Sequence, residues 1–241
     1  MITDLKGLWM EAFGDPAPFV DGFFRTGYDP DRCRVLYENG KLAAALYWFD
    51  CQWDGRKLAY IYAVATKQEL RGRGLCRRLM EQTHRHLQAL GYAGAVLVPG
   101  EASLFSFYEA MGYEICSTVG EFTCRAAAPL ALRRVDAGEY ARLRKSLLPA
   151  GGVVQEGAVL NFLATYASFW AGENCLLAAS VQENTVYVQE YLGSADLAPA
   201  VTGALGGEKG VFRTPGTDRP FAMYHALHSS AAPTYFGLAL D

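Results

Sequence analysis

Residues 58–90 read LAYIYAVATKQELRGRGLCRRLMEQTHRHLQAL. Apolar and aromatic side chains crowd 58–65, the composition of a buried strand. The polar stretch TKQELRGRG follows, and the period then changes. Leu75, Leu79, Thr83, Leu87 and Leu90 share one side of a helix, and Gly91 stands where a C-terminal cap belongs. A strand that runs through a glycine loop into a helix presents free backbone N–H groups and the positive end of the helix dipole, which together bind anions. Gly72 and Gly74 permit close backbone approach. Arg71, Arg73, Arg77 and Arg78 crowd the same stretch. Arg77 and Arg78 fall in the first helical turn, where the dipole favours acids. A bound anion such as a pyrophosphate would remove that conflict; the simpler alternative is a solvated basic face on a glycine turn.

Outward from this unit, Leu5, Leu8, Trp9 and Phe13 recur at helical spacing, predicting a helix over 4–13 that ends at Gly14. Asp15-Pro16 reads as the N-cap and first residue of a second helix, with an apolar stripe of Phe19, Val20, Phe23 and Phe24. Strands at 33–38 and 41–51 flank Asn39-Gly40, a strong hairpin signal, and Asp54-Gly55 turns the chain into the strand quoted above. A strand at 93–98 ending in Pro99-Gly100, a short helix at 103–111 closed by Gly112, and a strand at 113–124 follow. The order α-α-β-β-β-α-β-α-β is a mixed α/β layer fold.

Ala126-Ala127-Ala128-Pro129 reads as a linker. Beyond it the same kinds of element recur: helices at 137–148, 158–170 and 195–205, strands at 175–182 and 185–192, and strands near Val211, Ala222 and Tyr235. A shift of 116 residues aligns Pro99-Gly100, Phe105, Tyr108 and Ala110 with Pro215-Gly216, Phe221, Tyr224 and Ala226, as in two lobes of one ancestry. Two domains are therefore expected, 1–125 and 130–241. The second has no glycine–arginine loop after its strand at 185–192, only GSADLAP, and is expected not to bind the anion. Tyr224, in the apolar run FAMYHAL, reads as a core tyrosine.

The chain has 241 residues, 51% hydrophobic, 13% aromatic and 20% charged, which excludes a disordered protein and accommodates one large domain or two small ones. Net charge is −3, shared as 14 basic against 15 acidic residues over 1–125 and 8 against 10 over 126–241. No global basic field points to nucleic acid or an acidic lipid surface. The longest apolar run, 42–49, is too short for a bilayer span, and the N-terminal stretch lacks the charged start and apolar core of a targeting signal. The six cysteines, at 33, 51, 76, 116, 124 and 175, form no C-x-x-C pair, as expected for reduced thiols in the cytoplasm. His84 and His86 lie two apart on a helix and cannot face one ligand. His225 and His228 have no Cys or carboxylate cluster beside them, so no metal site is expected.

Two phosphate motifs are absent. A dinucleotide fingerprint needs a small residue where Arg77 stands, and no Gly-Lys-Ser/Thr closes a P-loop. Instead, Arg71-x-x-Gly74-x-Cys76 after a strand and at the start of a long helix resembles the Arg/Gln-x-x-Gly-x-Gly/Ala acetyl-CoA loop of the GNAT-type N-acetyltransferase superfamily. Downstream, LFSFYEAMGYE is similar to that family's Leu-Tyr-x-x-x-Gly-Phe signature. The resemblance covers 1–125 and implies a GNAT fold, with the second half a degenerate copy. It implies that backbone around Tyr62, Ala63 and Val64 pairs with the pantetheine arm of acetyl-CoA. It also implies that the N–H groups of Arg71, Gly72, Arg73, Gly74, Leu75 and Cys76 cradle the pyrophosphate. Tyr108 falls on the family's usual general acid, which protonates the departing thiolate; alone, it reads as a helix tyrosine packed on Phe105.

Three features depart from the family pattern. Cys76 replaces the usual Gly/Ala, Glu101 stands where an Asn is frequent, and the customary first strand is missing. Either the sheet begins at the hairpin or the second half supplies an edge strand. The general base is unassigned; Asp50, Asp54 and Glu101 are the acids near the expected site. A further possibility is the carboxylate of the terminal residue, Asp241, as in the similar two-lobed mycobacterial enhanced-intracellular-survival acetyltransferases. The resulting expectation is direct acetyl transfer from acetyl-CoA to a small-molecule or peptide amine, with no metal. The rival expectation is a non-catalytic acyl-CoA sensor, and a weaker one a generic phosphate binder.

Overall fold

The computed structural model describes residues 1–228 and 231–240. Two helices open the chain, α1 (Ile2–Phe13) and α2 (Ala17–Thr26). Gly14 ends α1 in the left-handed conformation, as its position in the sequence predicts. The Asp15 cap is not realised. Pro16 occupies the N-cap, and the Asp15 carboxylate instead accepts a hydrogen bond from Trp9 Nε1 at 2.7 Å. The strands β1 (Cys33–Glu38), β2 (Lys41–Trp53) and β3 (Arg56–Thr66) form a meander. Both of its turns have two residues at positive φ, Asn39-Gly40 and Asp54-Gly55, the twist that two-residue hairpins require. Helix α3 (Leu75–Ala89), β4 (Gly94–Leu97), α4 (Ser103–Glu109) and β5 (Glu114–Arg125) complete the first half in the predicted order.

The second half comprises β6 (Arg133–Val135), α5 (Ala137–Leu147), β7 (Val154–Gln155), α6 (Ala158–Leu163), β8 (Ser168–Ala171), β9 (Cys175–Gln182), β10 (Thr185–Gly193), α7 (Ala198–Ala204), β11 (Lys209–Pro215) and β12 (Arg219–Ala226). The helix expected over 158–170 is two elements. It stops at Leu163, and residues 168–171 form β8 between β6 and β9. A run this rich in apolar residues does not by itself separate a helix from a strand.

One mixed sheet runs through both halves in the order β1-β2-β3-β4-β12-β5-β11-β10-β9-β8-β6, with β7 paired to β2. The boundary expected near 126–129 is therefore crossed, among the described residues, by four strand pairings, β4–β12, β12–β5, β5–β11 and β2–β7. β12, late in the chain, lies between β4 and β5, while β5 pairs along its other edge with β11. The missing first strand is resolved on both counts: β1 begins the sheet at the hairpin, and β7 from the second half adds a short edge segment on β2. The 116-residue alignment places helix α4 against strand β12, so Tyr108 and Tyr224 occupy different kinds of element. Tyr224 is a core tyrosine, as expected. Its hydroxyl donates to Ala93 O at 3.2 Å, and its ring covers Gly94, where a Cβ would lie 2.1 Å from a ring carbon.

Alternation along β2 and β3 divides the core. Tyr47, Phe49, Cys51 and Tyr60 face one side, against α1, α2 and α6. Leu46, Trp48, Ala59 and Ile61 face the other, against α3 and α4. Residues 235–240 are all buried and thread back through the first side. Ser117 Oγ accepts from Phe236 N at 2.9 Å, Gln155 Nε2 donates to Leu238 O at 2.8 Å, and Leu240 N donates to the Tyr60 hydroxyl at 3.2 Å. The strand expected near Tyr235 is reduced to a single bridge with Gly152. Asp241, whose carboxylate was a candidate base, lies outside the described residues.

Candidate active site

β3 and β4 run parallel and pair only at Leu58–Gly94, Ala59–Ala95 and Tyr60–Val96. Beyond Tyr60 they part, and among the described residues no strand pairs with the β4-facing edge of 61–66. The cause lies in β3. Ala63 has φ 48, in the left-handed region, and the β2–β3 register slips there, between Ala45–Ala65 and Tyr47–Tyr62. This is a β-bulge, which bends a strand and re-aims its side chains and amides. An alanine at positive φ is strained, a cost characteristic of functional positions. Nothing in LAYIYAVAT marks Ala63 as the bulge, because the strain is imposed by its neighbours.

Past β3 the loop reaches α3. Gly72 and Gly74 have φ 75 and 74, and Gly74 is the N-cap of α3, with no side chain capping the helix. The first-turn N–H groups are thus not taken by a cap side chain, and no acid lies in that turn. The four arginines are not equivalent. Arg78 pairs with Glu38 on β1, and Arg77 donates to Ala110 O at the end of α4, where a cation suits the dipole. Arg71 and Arg73 brace the loop by donating to Thr66 O and Glu69 O. The sign conflict read from Arg77 and Arg78 is therefore answered within the protein. What could hold an anion here is the loop geometry, the N–H groups not taken by a cap side chain, and the exposed Arg71 and Arg73.

These elements border a cleft of about 1060 Å³ lined by Tyr62, Ala63, Val64, Arg71, Gly72, Gly74, Leu75, Cys76 and Tyr108. Of the predicted site residues only Arg73 falls outside the lining. Tyr108 is 8% exposed, and burial holds its phenol well above the ordinary tyrosine range, so it stays protonated across neutral pH. Cys76 faces the same cleft, its thiol raised by burial to about 11, and it adds to the shift of Tyr108. A thiol so raised is a packing group rather than a nucleophile.

Of the acids, Glu101 lines the cleft. Asp50 does not. It is bound by Arg32 at 2.7 Å and by the Tyr92 hydroxyl at 2.5 Å, and these partners hold its carboxyl below the ordinary range against the cost of burial. Asp54 is spent on a hairpin turn, 3.8 Å from Arg56. Sequence reasoning missed Asp15, which lines the cleft, and missed the second half's share of it: Arg219, Phe221, Ala239 and Leu240. Period and propensity carry no trace of either.

The histidines have other work. His84 is buried, bonded to the Tyr113 hydroxyl at 2.9 Å, and stacked at 4.2 Å on His225 of β12. Among the described residues no group of three or more His, Cys, Asp or Glu is placed to hold a metal ion, and all six cysteines are free thiols. No helix among them is long and apolar enough to cross a membrane.

A strand edge open to an extended chain, a helix start with no side-chain cap and a buried phenol thus border one cleft on a mixed α/β sheet. Residues 2–116 match the family model described as acetyltransferase (GNAT) domain. No curated protein sequence matches the chain. Solved structures share its fold. A GCN5-related N-acetyltransferase from Kribbella flavida superposes with a TM-score of 0.70 at 18% identity, covering 94% of this chain and 69% of that one. Another, from Anabaena variabilis ATCC 29413, gives 0.69 at 17% identity, covering 94% and 70%. Eis1 from Mycobacterium abscessus gives 0.65 at 15% identity, covering 92% and 70%.

Proposed function

We propose that the protein transfers an acetyl group from acetyl-CoA to a primary amine by direct attack. The observation that carries this reading is the meeting, in one cleft, of the β3 edge beyond its pairing with β4, the glycine loop at the start of α3, and Tyr108. The pantetheine arm pairs with the backbone of 61–66 as an added strand, and the pyrophosphate lies on the N–H groups of the Arg71–Cys76 loop. The neutral amine attacks the thioester carbonyl. Backbone N–H groups beside the Ala63 bulge, near Val64, stabilise the oxyanion. As the carbon–sulfur bond breaks, Tyr108 gives its proton to the leaving thiolate and regains one from solvent, while the nitrogen releases its own to solvent. No covalent enzyme intermediate is required. The split of β3 from β4 and the GNAT-domain match over 2–116 support this reading.

The deciding experiment is Tyr108→Phe with a reactive amine, followed by thiol release from pH 7 to 9. A general acid is worth about 10²–10⁴ in rate, so kcat is expected to fall by at least 100-fold with acetyl-CoA affinity retained. Unchanged turnover would remove Tyr108 from the mechanism. Coenzyme binding with no turnover of any amine by the native protein would favour the acyl-CoA sensor instead.

A further inference from the structure

On the far side of β3 from the glycine loop, the cleft changes character. Trp9, Phe13, Phe19, Tyr60 and Tyr62 form its wall, and Ala239 and Leu240 close it with aliphatic surface. The rings brace one another: Trp9 lies 5.5 Å from Tyr62 and 5.9 Å from Phe13, and Tyr60 lies 6.0 Å from Tyr62. Set in this wall is the half-buried Asp15. Its carboxylate is aimed by the Trp9 indole N–H at 2.7 Å and makes no ion pair among the described residues. The other charged groups lining the cleft have partners or lie elsewhere. Arg71 and Arg77 belong to the glycine loop and α3, Arg219 is held by two hydrogen bonds to Glu121, and exposed Glu101 accepts from the Ser103 hydroxyl beyond the end of β4.

Resting on the acetyl-transfer reading, we propose that this wall selects the acceptor: an amine with a single positive charge and an aryl or bulky apolar body, drawn in by Asp15. The charge count argues for one cation. A polyamine would bring several ammonium groups into an aromatic chamber that offers, among the described residues, one aimed carboxylate, and each unanswered charge would lose its water for nothing. A free amino acid would bring a carboxylate toward Asp15 and find the Arg219 guanidinium already paired. An arylalkylamine matches both surfaces. Its ring stacks on the wall at low entropic cost, and its ammonium is favoured by a carboxylate and by ring faces together.

Calorimetric titration of the protein saturated with coenzyme A tests this, using 2-phenylethylamine, spermidine and glycine as probes. 2-Phenylethylamine is expected to bind at least 10-fold more tightly than either of the others. Asp15→Asn is expected to weaken it at least 10-fold while leaving coenzyme A affinity and Tm unchanged, since an asparagine oxygen still accepts from Trp9. Spermidine or glycine binding as tightly as 2-phenylethylamine, no binding of 2-phenylethylamine, or an unchanged affinity in Asp15→Asn would each overturn the proposal. If coenzyme A itself fails to bind, the acetyl-transfer reading fails, and titration of the amines into the coenzyme-free protein still decides the character of the wall.

Discussion

Glu190 on β10 is fully buried, and its carboxylate accepts four hydrogen bonds. Arg144 Nε and Nη2 donate at 2.6 and 2.9 Å, and the Tyr140 and Tyr235 hydroxyls donate at 3.2 and 3.0 Å. The remaining guanidinium arm donates to Val153 O at 3.0 Å. Two opposite charges are thus removed from water in the core of the second half, each satisfied by the other and by neutral groups. Glu190→Gln keeps the shape and removes the charge. It leaves the 1% exposed Arg144 cation without a counter-charge and points amide hydrogens at its donors. Breaking a buried pair in this way costs about 3–5 kcal/mol. In a chain of this length 1 kcal/mol moves Tm by roughly 2–4 °C, so a fall of about 6–20 °C is expected. Adding Arg144→Met removes the stranded cation, and the double variant is expected to be more stable than Glu190→Gln alone. Urea unfolding followed by far-ultraviolet circular dichroism supplies the free energies, and hydrogen exchange over 235–240 reports whether the Tyr235 anchor has loosened. A loss under about 1 kcal/mol for Glu190→Gln, or a double variant worse than the sum of the singles, would refute the assignment of this pair as a charge-compensated core.

Gly74→Ala meets no atom within 4 Å, so its effect isolates the positive φ. A loss of about 1–2 kcal/mol in stability is expected, with weakened coenzyme A binding by calorimetry; Gly74→Asn, which tolerates that φ better, should retain more of both. His84 is held neutral by burial and by His225, its pKa lowered from 6.5 to about 3. The unfolded chain gains the proton near 6.5 and the native chain only near 3, so stability falls as pH is lowered through that window. About 1.4 kcal/mol should be lost by pH 5.5, and His84→Gln should flatten that slope in urea titrations at pH 5.5 and 7.5.

Much of the first half was legible because its signals are local. Positive-φ turns need Asn-Gly or Asp-Gly, the helix face of α3 needs leucines at its period, and an anion loop needs glycines before a helix start. Arg71, Gly72 and Gly74, read from such local signals, and Tyr108, read from the family resemblance, line one cleft. The errors fall where local patterns are ambiguous or where a partner decides. Residues 158–170 are mostly apolar and hide β8. Asp15 looks like a cap until the Trp9 indole takes it. Arg77 and Arg78 look like ligand-binding cations until Ala110 O and Glu38 occupy them.

The sequence by itself determined the element order of 1–125, the glycine loop and the tyrosine, since each depends on residues close along the chain. Tertiary structure alone decided that the two halves share one sheet, that β12 stands between β4 and β5, and that Arg219, Phe221, Ala239 and Leu240 wall the cleft. Strand pairing is made by backbone groups common to every residue, so which distant strand completes an edge leaves no mark in the residues that do it.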